Sequence, residues 1–135
     1  MFRFLNQNLL RVTLLADGIF SLAAGAGLLG LATPVAALTG PAINPQMVQA
    51  IGIGLVVWGV FHILMGRLPH PAKTAVRIAI IGDLLWVLTS LGLLIGARSA
   101  FSGAGLILVA VAMIGVADLM AFKIKGLSRQ GAQMT

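Results

Sequence analysis

Residues 11–18 read RVTLLADG, and residues 77–84 read RIAIIGDL. In each, an aspartate stands six residues beyond an arginine, inside a run that is otherwise apolar. The chain has only three acidic residues. Two of them, Asp17 and Asp83, therefore occupy matched places in two apolar segments.

The surroundings of these segments are those of a chain dissolved in lipid. Of 135 residues, 59% are hydrophobic and 9% charged, with a mean hydropathy of +1.06. A soluble domain carries about 25% charged residues, so polar groups are too few to cover a globular surface in water. There is no cysteine and no tyrosine, which excludes disulfides, thiolate metal sites and cysteine nucleophiles. The net charge of +6 would fit a nucleic-acid ligand in a soluble protein. Here the bases stand at the ends of apolar runs, where anchoring and orientation explain them, and no nucleic-acid partner is expected.

Crossing a bilayer as a helix takes about 20 apolar residues. Four stretches qualify, at about 9–32, 47–66, 78–97 and 104–122. The first connection, TPVAALTGPAINPQ, has three prolines and no charge and reads as a short irregular segment on the membrane surface. In the second, RLPHPAKTAVR, Pro71 suits the first turn of the third helix. The polar tail, 127–135, reads as frayed. Arg3, Arg11, Arg67, Lys73, Arg77, Lys123, Lys125 and Arg129 fall on one side of an even-numbered topology, and Arg98 alone falls on the other. The basic side is expected in the cytoplasm, with both termini. A cleaved signal is not expected from the first span, because its apolar stretch exceeds a signal's 7–15 residues and contains Asp17.

At an offset of 66, Arg11 aligns with Arg77, Asp17 with Asp83, Leu28 with Leu94 and Gly30 with Gly96. At an offset of 56, Gly59 aligns with Gly115 and His62 with Asp118. The expected fold is an all-α, four-helix transmembrane bundle of two parallel-repeat hairpins. Asp17 and Asp83 each lie six residues from a basic boundary, and His62 and Asp118 each lie five from Arg67 and Lys123. At 1.5 Å per residue every helix then carries one ionisable group about 7–9 Å deep. Asp17, His62, Asp83 and Asp118 are expected to form one polar layer facing the bundle interior, because a carboxylate facing lipid is costly. Either a protonated His62 bridges carboxylates, or one carboxylate is neutral. Ser21 shares the face of Asp17, and Ser90 that of Asp83. Trp58 and Trp86 lie about one turn away and are read as packing over the layer. Gly59 and Gly115, the Gly92–Gly96 pair and the Ala26–Gly30 pair are candidates for close helix approach.

The layer reads first as a structural clamp on helix register and second as a proton or cation site. The outer halves of the spans are almost wholly apolar, and the layer lies near one face, which favours the clamp. His62 alone has the chemistry of a pigment ligand, but a hydrogen-bonded core histidine is the simpler reading. Three aspartates and a histidine can ligate a divalent metal in principle, but no metal-ligand spacing is present. No cofactor is expected. No Ser-His-Asp order, phosphate loop or HExxH is visible, so no enzyme is expected.

The stretches GDLLWVLTSLGLL and GVADLMAFKIKGLSR resemble a group of small bacterial integral membrane proteins of about 130 residues with four expected helices. The resemblance rests on Gly82–Leu94, Asp118 and Gly126–Leu127 and spans roughly residues 8–129. It implies a multi-pass protein of a bacterial cytoplasmic membrane and no catalytic role. In size, and in the carboxylate of its first helix, the chain also resembles small multidrug transporters, whose dual topology its charge bias departs from. The leading expectation is a non-catalytic subunit or assembly partner in a larger membrane complex or homo-oligomer. The runner-up is a small proton- or cation-coupled transporter or channel.

Overall fold

The computed structural model describes residues 8–133 and is all-helical. Helix α1 is Leu9–Gly30, α2 Ala32–Thr39, α3 Pro45–Gly66, α4 Lys73–Gly96 and α5 Gly103–Gln133. A 3-10 turn, Arg98–Ala100, precedes α5. Helices α1, α3, α4 and α5 are long and apolar enough to cross a membrane. Arg3 lies outside the described residues.

Three boundaries depart from the expectation. The first connection is helical over Ala32–Thr39, because Pro34 falls in its first turn, where a missing N–H breaks no bond. The third span begins at Lys73 rather than 78, with Pro71 outside it. The tail continues α5 as helix to Gln133. That tail is held: Gln130 Nε2 donates to the Pro71 carbonyl at 3.0 Å, Leu127 packs on the core, and Gly126 lies against the Leu10 backbone.

The tightest seam is α1 against α3. Gly18 faces Gly59, and Gly25 faces Gly52. A Cβ at Gly18 would lie 2.9 Å from the Gly59 carbonyl oxygen, and one at Gly25 2.7 Å from the Gly52 oxygen. Each step of seven residues along α1 meets a step of seven back along α3, so glycine falls at the seam every two turns. Arg11 continues the register, its Nε donating to the Gly66 carbonyl at 3.2 Å. The close approach thus runs through Gly18, Gly25, Gly52 and Gly59. Gly30, Gly92, Gly96 and Gly115 face open space, which corrects the expectation for the i, i+4 pairs and for Gly115.

Helix α5 packs between α1 and α4, whereas α3 and α4 barely touch. Trp58 of α3 fills that loose seam, its ring lying where a Cβ at Gly82 of α4 would stand. At the end away from the termini, Ser102 caps α5. Its Oγ accepts from the Gly105 N–H at 3.0 Å and donates to the Leu38 carbonyl at 2.5 Å. Ser102→Ala removes both the cap and this tie to α2. The expected loss is about 1–2 kcal/mol, read as a lower thermal midpoint in detergent.

Candidate functional site: a buried charge cluster

One ionisable side chain from each long helix meets at the centre of the bundle. They are Asp17 from α1, His62 from α3, Asp83 from α4 and Lys123 from α5. Their exposures are 5%, 0%, 3% and 0%. The Lys123 ammonium donates to Asp17 Oδ2, to Asp83 Oδ2 at 2.5 Å, and toward His62 Nε2 at 2.9 Å. Three donors meet three acceptors, which is the full capacity of an ammonium.

The histidine tautomer follows from its other side. Nδ1 lies 2.8 Å from the Trp58 carbonyl oxygen. A carbonyl only accepts, so Nδ1 carries hydrogen, and in the neutral ring Nε2 is the acceptor that Lys123 needs. Nε2 also lies 3.3 Å from Asp17 Oδ2, within reach of a second arrangement in which it donates to that carboxylate. Ser21 Oγ donates to Asp17 Oδ1 at 3.1 Å. The Trp58 ring lies tilted against its neighbours, 4.9 Å from the His62 ring and 5.5 Å from Phe61. Trp86 is half-buried, and its indole N–H is buried without a hydrogen-bond partner. Ser90 is buried.

Two assignments change here. Asp118 stands exposed, outside the cluster. Lys123, expected as a cytoplasmic anchor, is the cluster's central cation. Five residues along an α-helix is a rotation of about 140°, so Lys123 and Asp118 cannot both face inward, and two buried carboxylates draw in the lysine. Arg67, Lys73, Arg77 and Lys125 are exposed, and Arg11 is half-buried.

The cluster is closed toward the termini by an apolar plug of Leu10, Leu14, Met65, Val76 and Ala79, with Phe61 and Leu127 packed against it. Asp17, His62 and Asp83 offer donor atoms within 4.8 Å of one another, a set that suits a metal ion by type. The same Asp83 oxygen, Asp17 carboxylate and imidazole nitrogen here bind the Lys123 ammonium, a positive charge already supplied by the chain.

Set beside known proteins, the chain matches no family model, no curated protein and no solved structure.

Proposed function

We propose that this chain is a multi-pass protein of a bacterial cytoplasmic membrane, with both termini in the cytoplasm, and that it serves there as a non-catalytic subunit or assembly partner. The charge asymmetry supports the orientation. Arg11, Arg67, Lys73, Arg77, Lys125 and Arg129 belong to the end that carries the termini, and Arg98 to the other. The matched Arg-Asp spacing of α1 and α4 supports descent from two parallel hairpins, and the resemblance carried by Gly82–Leu94 supports the bacterial membrane.

The observation that carries the reading is Asp118. Val111, Ile114, Asp118 and Phe122 recur at helical spacing along α5, and all four are exposed. They form an apolar stripe interrupted by one carboxylate. Among the described residues none pairs with Asp118. An acid on a lipid-facing stripe calls for a partner with a cation or hydrogen-bond donor at the same depth, and an adjacent transmembrane helix fits that stripe. The buried cluster, already internally paired, sets the register of the scaffold that presents it.

Extraction of the native protein in lipid nanodiscs, followed by the mass of the particle, tests this. A stoichiometric partner is expected. In the Asp118→Asn variant the partner is lost while the thermal midpoint of the chain stays put, because Asp118 makes no contact that holds its own bundle. A wild-type particle containing one chain and lipid alone rejects the reading.

One feature favours a second reading, proton-coupled transport. His62 Nε2 has two neighbours, the Lys123 ammonium and the Asp17 carboxylate, and a proton passed from the ammonium to Nε2 and from there to the carboxylate, leaving a neutral amine, is a proton-relay step. That reading requires proton flux in liposomes, abolished by Asp17→Asn in protein that remains folded.

A further inference from the structure

A groove of about 310 Å³ runs between α4 and α5 at the end of the bundle that carries the termini. Its composition changes along its length. Lys73 and Arg77, one turn apart on α4, line it with Ser128 of α5 toward the end of the bundle. Ile80 and Ile124 line it toward the middle, and Leu127 lies between them and Ser128. Lys73 and Arg77 are exposed, and neither is paired with a carboxylate among the described residues. The reason is compositional: of the three acids in the chain, two are bound inside the bundle by Lys123 and the third is on the outer stripe of α5. Lys73 and Arg77 are thus open to an anion supplied by the surroundings.

We infer that this groove is a binding site for one anionic phospholipid, with its phosphate on Lys73, Arg77 and the Ser128 hydroxyl and an acyl chain along Ile80, Ile124 and Leu127. The order of groups fits. On a chain read as membrane-spanning, the two cations and the hydroxyl sit toward headgroup level, Leu127 lies beside Ser128, and Ile80 and Ile124 lie about one turn deeper than Arg77 and Ser128. A basic pocket between transmembrane helices is a recurring form of headgroup recognition. A free phosphate would use the mouth of the groove and leave the apolar floor unfilled. The inference rests on the orientation of this end toward a membrane surface, and it does not depend on the partner of Asp118.

Native mass spectrometry of the full chain in detergent tests it, with dioleoyl phosphatidylglycerol and dioleoyl phosphatidylcholine supplied at equal concentration. A one-to-one adduct with phosphatidylglycerol is expected, several-fold preferred. The double variant Lys73→Gln, Arg77→Gln should weaken that adduct by roughly tenfold or more, given the contribution of each basic side chain at an anionic surface. A control, Arg67→Gln with Lys125→Gln, removes the same charge outside the groove and should change it by less than about twofold. Equal binding of the two lipids, or equal loss in both double variants, overturns the inference. So does displacement of the lipid by millimolar glycerol 3-phosphate, which would mark a free-anion site, or a dimer that forms without lipid. These readouts report a lipid mass, whereas the partner search reports a protein mass, so either can fail alone.

Discussion

Lys123→Met should be among the most damaging single substitutions in the chain, lowering stability by about 3–5 kcal/mol. The loss does not arise from packing, since methionine has nearly the volume of lysine. It arises because Asp17 and Asp83 lose the ammonium that neutralises them and His62 loses its donor. An unpaired charge kept from water costs far more than the pair contributed. Steric trapping or thermal unfolding in detergent measures the change. The reciprocal experiment separates charge from shape. Asp17→Asn and Asp83→Asn added to Lys123→Met should restore most of the stability, because a neutral cluster leaves no charge uncompensated. A Lys123→Met variant as stable as the native chain would mean that the cluster is not what holds the four helices in register. Lys125→Met, two residues on and exposed, should change stability by no more than about 0.5 kcal/mol.

Gly59→Ala should follow at about 3 kcal/mol. The added methyl group would stand 2.8 Å from the Gly18 carbonyl oxygen and 2.9 Å from the Leu22 nitrogen. Both are backbone atoms of the opposing helix and neither can swing aside, so α1 and α3 must separate. Separation also loosens Gly25 against Gly52, two turns away. Gly54→Ala is the matched control on the same helix. Its Cβ would meet nothing within 4 Å, and better helix propensity should raise stability by about 0.5–1 kcal/mol. Thermal midpoints of the two variants should move in opposite directions. Equal shifts would mean that the glycine seam is not a close contact.

The spans were legible because an apolar run of membrane length, bounded by charge, has few other fates. The boundaries were less so. Hydropathy marks where lipid ends, not where a helix ends, and α5 continues past that point as an amphipathic rod. Its stripe of Lys123, Gly126, Leu127 and Gln130, at spacings of three and four, was the available signal that the tail keeps packing. The three prolines of the first connection argued against a helix, yet Pro34 sits in a first turn and Pro45 opens the next helix. Depth was readable for Asp17, His62 and Asp83 from their distances to basic boundaries. Rotation was not, because depth alone does not say which way a side chain points. Lys123 stands where the apolar run stops, as a residue reaching for the headgroups would. The bare count of charges held the correction: two buried acids on α1 and α4 need a cation. Of the glycine seam, Gly59 stood out by its place one turn before His62, whereas Gly18, Gly25 and Gly52 escaped a search for four-residue spacing because the seam repeats every seven.

The plan of the cluster also bears on how the chain is made. Asp17 and His62 belong to the first two long helices and Asp83 to the third. Lys123 follows Asp17 by 106 residues and Asp83 by 40. Both acids are therefore synthesised well before the cation that neutralises them. Until α5 arrives, the unfinished chain holds two carboxylates with no answering ammonium. The last helix acts as a latch: it closes the bundle and cancels the charge in one event. A ribosome that stalls before Phe122 leaves a product marked by bare acids within its spans, distinguishable from the finished protein by charge alone.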